Sequence, residues 1–146
     1  MEYSEKNDNI VNALAEHAHA KWLELRSQSP APAQPRLKTI GSSMGEFTIN
    51  IAVPWAELHS CWKEEQKATF WAYLDAFQAF QAFQALKGPD PLTIEQVAAQ
   101  VIHPVWMTQN EWQRRDNPHL FVDYAALPLA EQQKDCEIAQ LLLSYF

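Results

Sequence analysis

With 146 residues, 47% of them hydrophobic and 12% aromatic, the chain has material for one compact domain or for two small halves sharing a core. A formal net charge of −7 argues against a nucleic-acid groove, which needs clustered Lys and Arg, and the sole adjacent basic pair is Arg114-Arg115. No apolar run approaches the roughly 20 residues that span a bilayer, and the polar start MEYSEKNDNIVN has no signal-peptide core, so a soluble, cytoplasmic protein without membrane contact is expected.

In chain order, Ile10, Leu14, Ala18, Trp22 and Leu25 recur at three-to-four spacing and predict a helix over about 9–26. Three prolines between Pro30 and Pro35 end it and give an extended linker. Residues 36–54 read as irregular chain with short strands. Phe47, Ile49 and Ile51 alternate as in a half-buried strand, and Gly41–Gly45 supplies the turn before it. A long helix over about 55–87 follows, stopped by Gly88-Pro89-Asp90-Pro91.

Within that helix, Phe77, Phe80, Phe83 and Leu86 repeat every three residues, so they drift about 60° round the helix per repeat. Such a smear suits burial on more than one side or a self-association surface. Thr93-Ile-Glu-Gln96 is a capping box opening a helix through Val97, Val101 and Ile102, which Pro104 should end, kink or restart. Residues 106–123 read as irregular. A last helix over about 128–144 points Ile138, Leu141 and Leu142 inward. The fold class is mainly α with short β-strands.

Two halves of this chain rhyme. Half one, over 9–87, has His19-Ala-Lys-Trp22, a long loop, Pro54-Trp55-Ala-Glu-Leu58, then Glu64-Glu-Gln-Lys67. Half two, over 93–146, has His103-Pro-Val-Trp106, a loop, Asp123-Tyr124-Ala-Ala-Leu127, then Glu131-Gln-Gln-Lys134. The expected architecture is therefore a single domain of two pseudo-symmetric helix–loop–helix halves.

These elements, in this order, resemble the ryanodine receptor repeat, as two tandem divergent copies of the kind found in prokaryotic or phage proteins. That repeat has His-x-x-Trp on a first helix, a Gly-Trp loop, a Lys-x-His-Pro segment, Pro-Tyr-x-x-Leu and a Glu/Lys-rich second helix. Half two departs from it at Glu111, where the glycine before Trp112 would stand, and at Pro118-His119, where the order is inverted. The resemblance implies a helical, ligand-sensing module, with adenine nucleotides among the ligands of some members.

The candidate ligand-binding residues are His19, Trp22, His103, Trp106, Trp112, Arg114, Arg115 and Tyr124. A Trp offers a stacking face and a neighbouring His a polar edge, whereas the ordinary role of such a pair is a packed ring beside a hydrogen-bonded imidazole. Trp112 beside Arg114 and Arg115 could stack a base and pair a phosphate; the plainer alternative is a solvated loop paired with Asp116 or Asp123. No Cys-x-x-Cys or His-x-x-x-His pair supports a metal, and no cofactor is implied. Cys61 and Cys136 fall in predicted amphipathic helices, so a buried, reduced thiol is expected at each. Three glycines leave no phosphate-cradling loop, and no Gly-x-Ser-x-Gly occurs, so the chain reads as non-enzymatic.

Two functions compete. One is a module binding an adenine or cyclic nucleotide in a pocket between or beside the halves. The other is a protein-interaction module, or a homo-oligomer such as a homodimer, using the aromatic helix over 70–86.

Overall fold

Ser4 opens the first helix by accepting the Asn7 amide on its hydroxyl at 3.0 Å, ahead of Glu5 and Asp8 in the first turn. In the computed structural model, which describes residues 4–27, 36–42 and 45–146, this helix, α1, spans Glu5–Ser27. It starts earlier than the apolar spacing suggests, because the cap and the acidic first turn extend it. The expected linker over 28–35 and the tip of the Gly41–Gly45 turn lie outside the described residues.

Strands β1 (Leu37–Ser42) and β2 (Gly45–Asn50) form an antiparallel hairpin with Leu37 opposite Asn50 and Thr39 opposite Thr48. Phe47 and Ile49 are half-buried and Ile51 is buried, as the alternation requires. The long helix α2 spans Ser60–Ala85. It begins after Trp55 because Trp55–Glu57 forms a separate 3-10 turn and Leu58 is extended. Gly88, at φ 146°, takes the left-handed backbone that follows its end.

The capping box is formed at both bonds: Thr93 Oγ1 accepts the Gln96 amide and Gln96 Oε1 accepts the Thr93 amide. Helix α3 (Ile94–Val97) continues through a π turn over Ala98–Ile102 into α4 (His103–Gln109). Pro104 has no amide hydrogen and its ring crowds the carbonyl four residues back, so the helix widens instead of breaking, and the His103 amide reaches Ala98 O. Of the stretch 106–123 expected to be irregular, residues 106–109 belong to α4 and two short 3-10 turns, Glu111–Gln113 and Pro118–Leu120, occupy part of the rest; a third, Tyr124–Ala126, follows it. Helix α5 spans Leu129–Leu143.

The chain divides into two compact units, residues 1–68 and 69–146, and the division falls within α2. The buried apolar set of the first unit is Ile10, Val11, Leu14, Ala15, Ile51 and Leu58. That of the second centres on Phe77, Leu74, Ile102, Leu142, Val97 and Val101. Among the described residues, no helix is long and apolar enough to cross a membrane.

Candidate functional site

Each unit holds a buried histidine against the carbonyl of a distant valine. His19 Nε2 lies 2.7 Å from Val53 O, and His103 Nε2 lies 2.6 Å from Val122 O. A carbonyl only accepts, so Nε2 carries the hydrogen in both rings. One helical turn on, the Trp22 ring centroid is 5.7 Å from that of His19, and the Trp106 centroid is 6.0 Å from that of His103.

The chain after each valine follows the same path. Pro54 and Asp123 are extended, at φ −56°, ψ 152° and φ −58°, ψ 148°. A 3-10 turn then carries the aromatic, Trp55 or Tyr124, and ends in a buried Leu58 or Leu127. The next helix opens with two amides on one carbonyl: Trp62 and Lys63 on His59 O, Glu131 and Gln132 on Pro128 O. Aligning these carbonyls corrects the sequence match at this point. Trp62, not Glu64, stands where Glu131 does, so the two Glu–Lys pairs (Glu64–Lys67 and Glu131–Lys134) are two residues out of step.

That register puts Gln66 where the second unit has Asp135, so the two units differ at one chemically decisive position. Asp135 is 7% exposed, and its Oδ2 has no hydrogen-bond partner. The nearest ring nitrogen is His103 Nδ1, 3.4 Å away, which is long for a hydrogen bond. With the hydrogen of Nε2 given to Val122, Nδ1 and Oδ2 meet favourably only with a proton between them. Burial, and then the charge of Glu131, push the Asp135 carboxyl up to about 7, against a smaller lowering by Lys134. At neutral pH the carboxyl is poised between its two forms.

Asp135 helps line a cleft of about 170 Å³ within the second unit. Trp106 forms an aromatic wall; Leu120, Leu127 and Ile138 form apolar walls; Glu131 and Lys134 stand on α5 beside Asp135, joined to each other at 3.1 Å. A shallower hollow of about 360 Å³, between α2 and the helix through Gln100–Gln109, contains no charged side chain.

Of the eight residues singled out from sequence, His103 and Trp106 line the cleft. His19 and Trp22 belong to the first unit, in a cluster where His19 also lies 5.9 Å from Trp55 and Arg26 lies 5.5 Å from the Trp22 ring. Tyr124 is near but engaged: its hydroxyl and Cys136 Sγ share a 3.0 Å hydrogen bond. Trp112 is 79% exposed on its 3-10 turn. Arg114 is held by both oxygens of Glu111, at 2.6 and 2.9 Å, and lies 4.7 Å from the Phe121 ring, so its partner is neither Asp116 nor Asp123. Arg115 is exposed, and neither arginine lines the cleft.

Sequence reasoning missed Asp135. A signal was present: with Ile138, Ala139 and Leu142 it lies on the inward stripe of α5, where a carboxylate is out of place. Cys61, expected to be buried, is exposed in the first turn of α2.

Comparison of the chain with protein-family models, curated proteins and solved structures finds no match.

Proposed function

We propose that the second unit is a non-catalytic binding module for a small, planar, nitrogen-bearing ligand, with an adenine base as its type. The observation that carries this reading is Asp135, a buried carboxyl poised between protonated and ionised forms in a cleft otherwise walled by Trp106 and aliphatic side chains. A protonated carboxyl offers one donor and one acceptor, which is the complement of adenine's amino group and adjacent ring nitrogen. Trp106 supplies the stacking face.

The ligand's recognised part is the base and not a phosphate. Lys134 is the cation at this cleft and is already paired with Glu131, while Arg114 is committed to Glu111 elsewhere. A nucleotide, cyclic or open, would therefore bind no more tightly than its nucleoside. A hydrolytic role is disfavoured by His103: Nε2–H is committed to Val122 O and Nδ1 faces Asp135, so neither nitrogen is placed as a general base. The likeness to the ryanodine receptor repeat belongs to the same reading, supported by the paired His–carbonyl contacts and matching aromatic turns.

The test is tryptophan fluorescence and thermal melting with adenine, adenosine and AMP. Saturable quenching with a raised melting temperature, equal for adenosine and AMP and lost in Trp106→Ala, is expected. Binding that requires the phosphate would sink the assignment to this cleft.

A second reading rests on the far end of α2. Exposure climbs from 0% at Phe77 through a half-buried Phe80 to 54% at Phe83 and 86% at Leu86. The 60° drift of a three-residue repeat thus carries these side chains from core to surface. Self-association through Phe83 and Leu86 predicts a mass in solution above that of one chain, which Phe83→Glu with Leu86→Glu would reduce.

A further inference from the structure

The cleft of the second unit is acidic in an acidic setting. Residues 69–146 carry four Lys and Arg against nine Asp and Glu. Two carboxyls, Asp135 and Glu131, stand one helical turn apart on α5 and both line the cleft. Asp135 is nine-tenths buried with Oδ2 unpartnered, and burying an ionised carboxylate there is costly without a counter-charge. The cation that the fold supplies, Lys134, reaches Glu131 from an exposed position, with its side chain 66% accessible, and leaves Asp135 to the cleft. Trp106, stacked on His103 and 5.2 Å from the Phe121 ring, lines the same space, and an indole attracts cations more strongly than any other aromatic ring.

We infer that the cleft selects an organic cation, an amidinium or primary ammonium on a small apolar body, which takes its place against Asp135 and Glu131 and drives the Asp135 proton into solvent. This rests on the cleft being the binding site and sharpens what it accepts: adenine's recognised edge is a neutral amidine, and the cleft prefers the charged form of that group. The balance is simple. The carboxyl O–H of Asp135 breaks, the proton goes to buffer, and the ligand's positive charge replaces it beside the carboxylate. The cleft therefore keeps its net charge on binding. An anion gains nothing from this exchange, because the cleft's cation, Lys134, is already paired with Glu131.

The groups facing Asp135 are consistent with one carboxylate that titrates. His103 on α4 carries its hydrogen on Nε2; burial, and then the Asp135 charge, push up the Tyr73 hydroxyl of α2; the hydrogen bond to Cys136 pushes up the Tyr124 hydroxyl of the 3-10 turn, with Asp135 the smallest contributor; Glu131 raises and Lys134 lowers the acid from its own helix. Tyr124 is further occupied with Cys136.

The experiment uses the full chain with benzamidine as cation, benzamide as its neutral isostere and adenosine as reference, titrated by calorimetry at pH 6 and pH 8 in buffers of different ionisation heat. Benzamidine should bind about tenfold more tightly at pH 8 than at pH 6, the competition expected of a single group titrating near 7. It should release close to one proton at pH 6. Glu131→Gln should weaken binding but keep the pH dependence, and Asp135→Asn should abolish that dependence. Because Asp135→Asn alters a buried site, the wild-type pH dependence and proton count decide the matter if this variant does not fold. Benzamide binding as tightly as benzamidine, or adenosine binding while benzamidine does not, would overturn the cation preference and leave the site standing. Failure of all three ligands would overturn both.

Discussion

Val122 and His103 are joined by a 2.6 Å hydrogen bond from the ring Nε2–H to the main-chain carbonyl, across 19 residues of chain. Val53 and His19 repeat it at 2.7 Å across 34. The contact pins the segment before each aromatic turn onto the helix bearing the histidine. Removing the ring leaves a carbonyl without its partner and a hole where a buried side chain stood. His19→Ala should cost about 1–3 kcal/mol, the range for orphaning a buried group. His103→Ala should cost more, about 3 kcal/mol or above, because it also uncovers Asp135. Urea unfolding of the two variants checks both the magnitude and the order; equal costs would mean that Asp135 gains nothing from the imidazole.

The capping box gives a simpler expectation. Thr93 Oγ1 holds the Gln96 amide at 3.1 Å, and Gln96 returns the bond at 2.9 Å. Thr93→Ala removes the first of these and should destabilise the protein by about 1 kcal/mol. Gln96→Ala should cost less, since the Thr93 amide it leaves is exposed to water. A drop in melting temperature that is larger for Thr93→Ala is the expected result.

The sequence carries local signals, and these were the legible part. The helices, the strand of alternating Phe47, Ile49 and Ile51, the capping box and the order of the rhyming elements follow from spacing and from side chains acting on their own backbone. What the spacing could not carry was the partner of each histidine, because Val53 and Val122 contribute only a carbonyl and any residue has one. The π turn was half legible: Pro104 announces a defect, but whether the helix breaks or widens depends on what holds His103 in place. Asp135 belongs to no motif, and its place on the inward stripe of α5 is what sets it apart. Trp112 stands out in the sequence by its type and its near neighbours alone. A large aromatic beside two arginines looks like a site, and only packing shows it facing solvent.

The thiols should separate cleanly by reactivity. Cys61 is exposed, and Cys136 is half-buried with Sγ on the Tyr124 hydroxyl. Accessibility governs alkylation once thiolate is available. One thiol should react quickly with a colorimetric disulfide reagent in the folded protein and the second only slowly, with both reacting at once in denaturant. Cys61→Ser should remove the fast phase. Tyr124→Phe should speed the slow one, since it frees Sγ with little change in packing; an unchanged slow phase would mean that burial alone protects Cys136.

Asp135 should dominate the way stability depends on pH. Its carboxyl titrates near 3.8 when unfolded and near 7 in the folded chain, so the folded state binds the extra proton over that interval. The sign follows. Stability from this group is complete below about pH 4 and is lost progressively as pH rises toward 7, after which it changes no further. A span of about three pH units at about 1.4 kcal/mol each puts the loss on the order of 4 kcal/mol. Most acidic proteins lose stability on going down in pH because ionised, paired carboxylates become protonated; here one buried acid works in the opposite sense. Melting temperatures measured from pH 4 to pH 8 should therefore rise less, or fall more, in the wild type than in Asp135→Asn. The gap between the two curves, with Asp135→Asn gaining relative to wild type as pH increases, isolates the contribution of the acid. Parallel curves would mean that Asp135 binds its proton equally in the folded and unfolded chain over this range, and would overturn the raised acid.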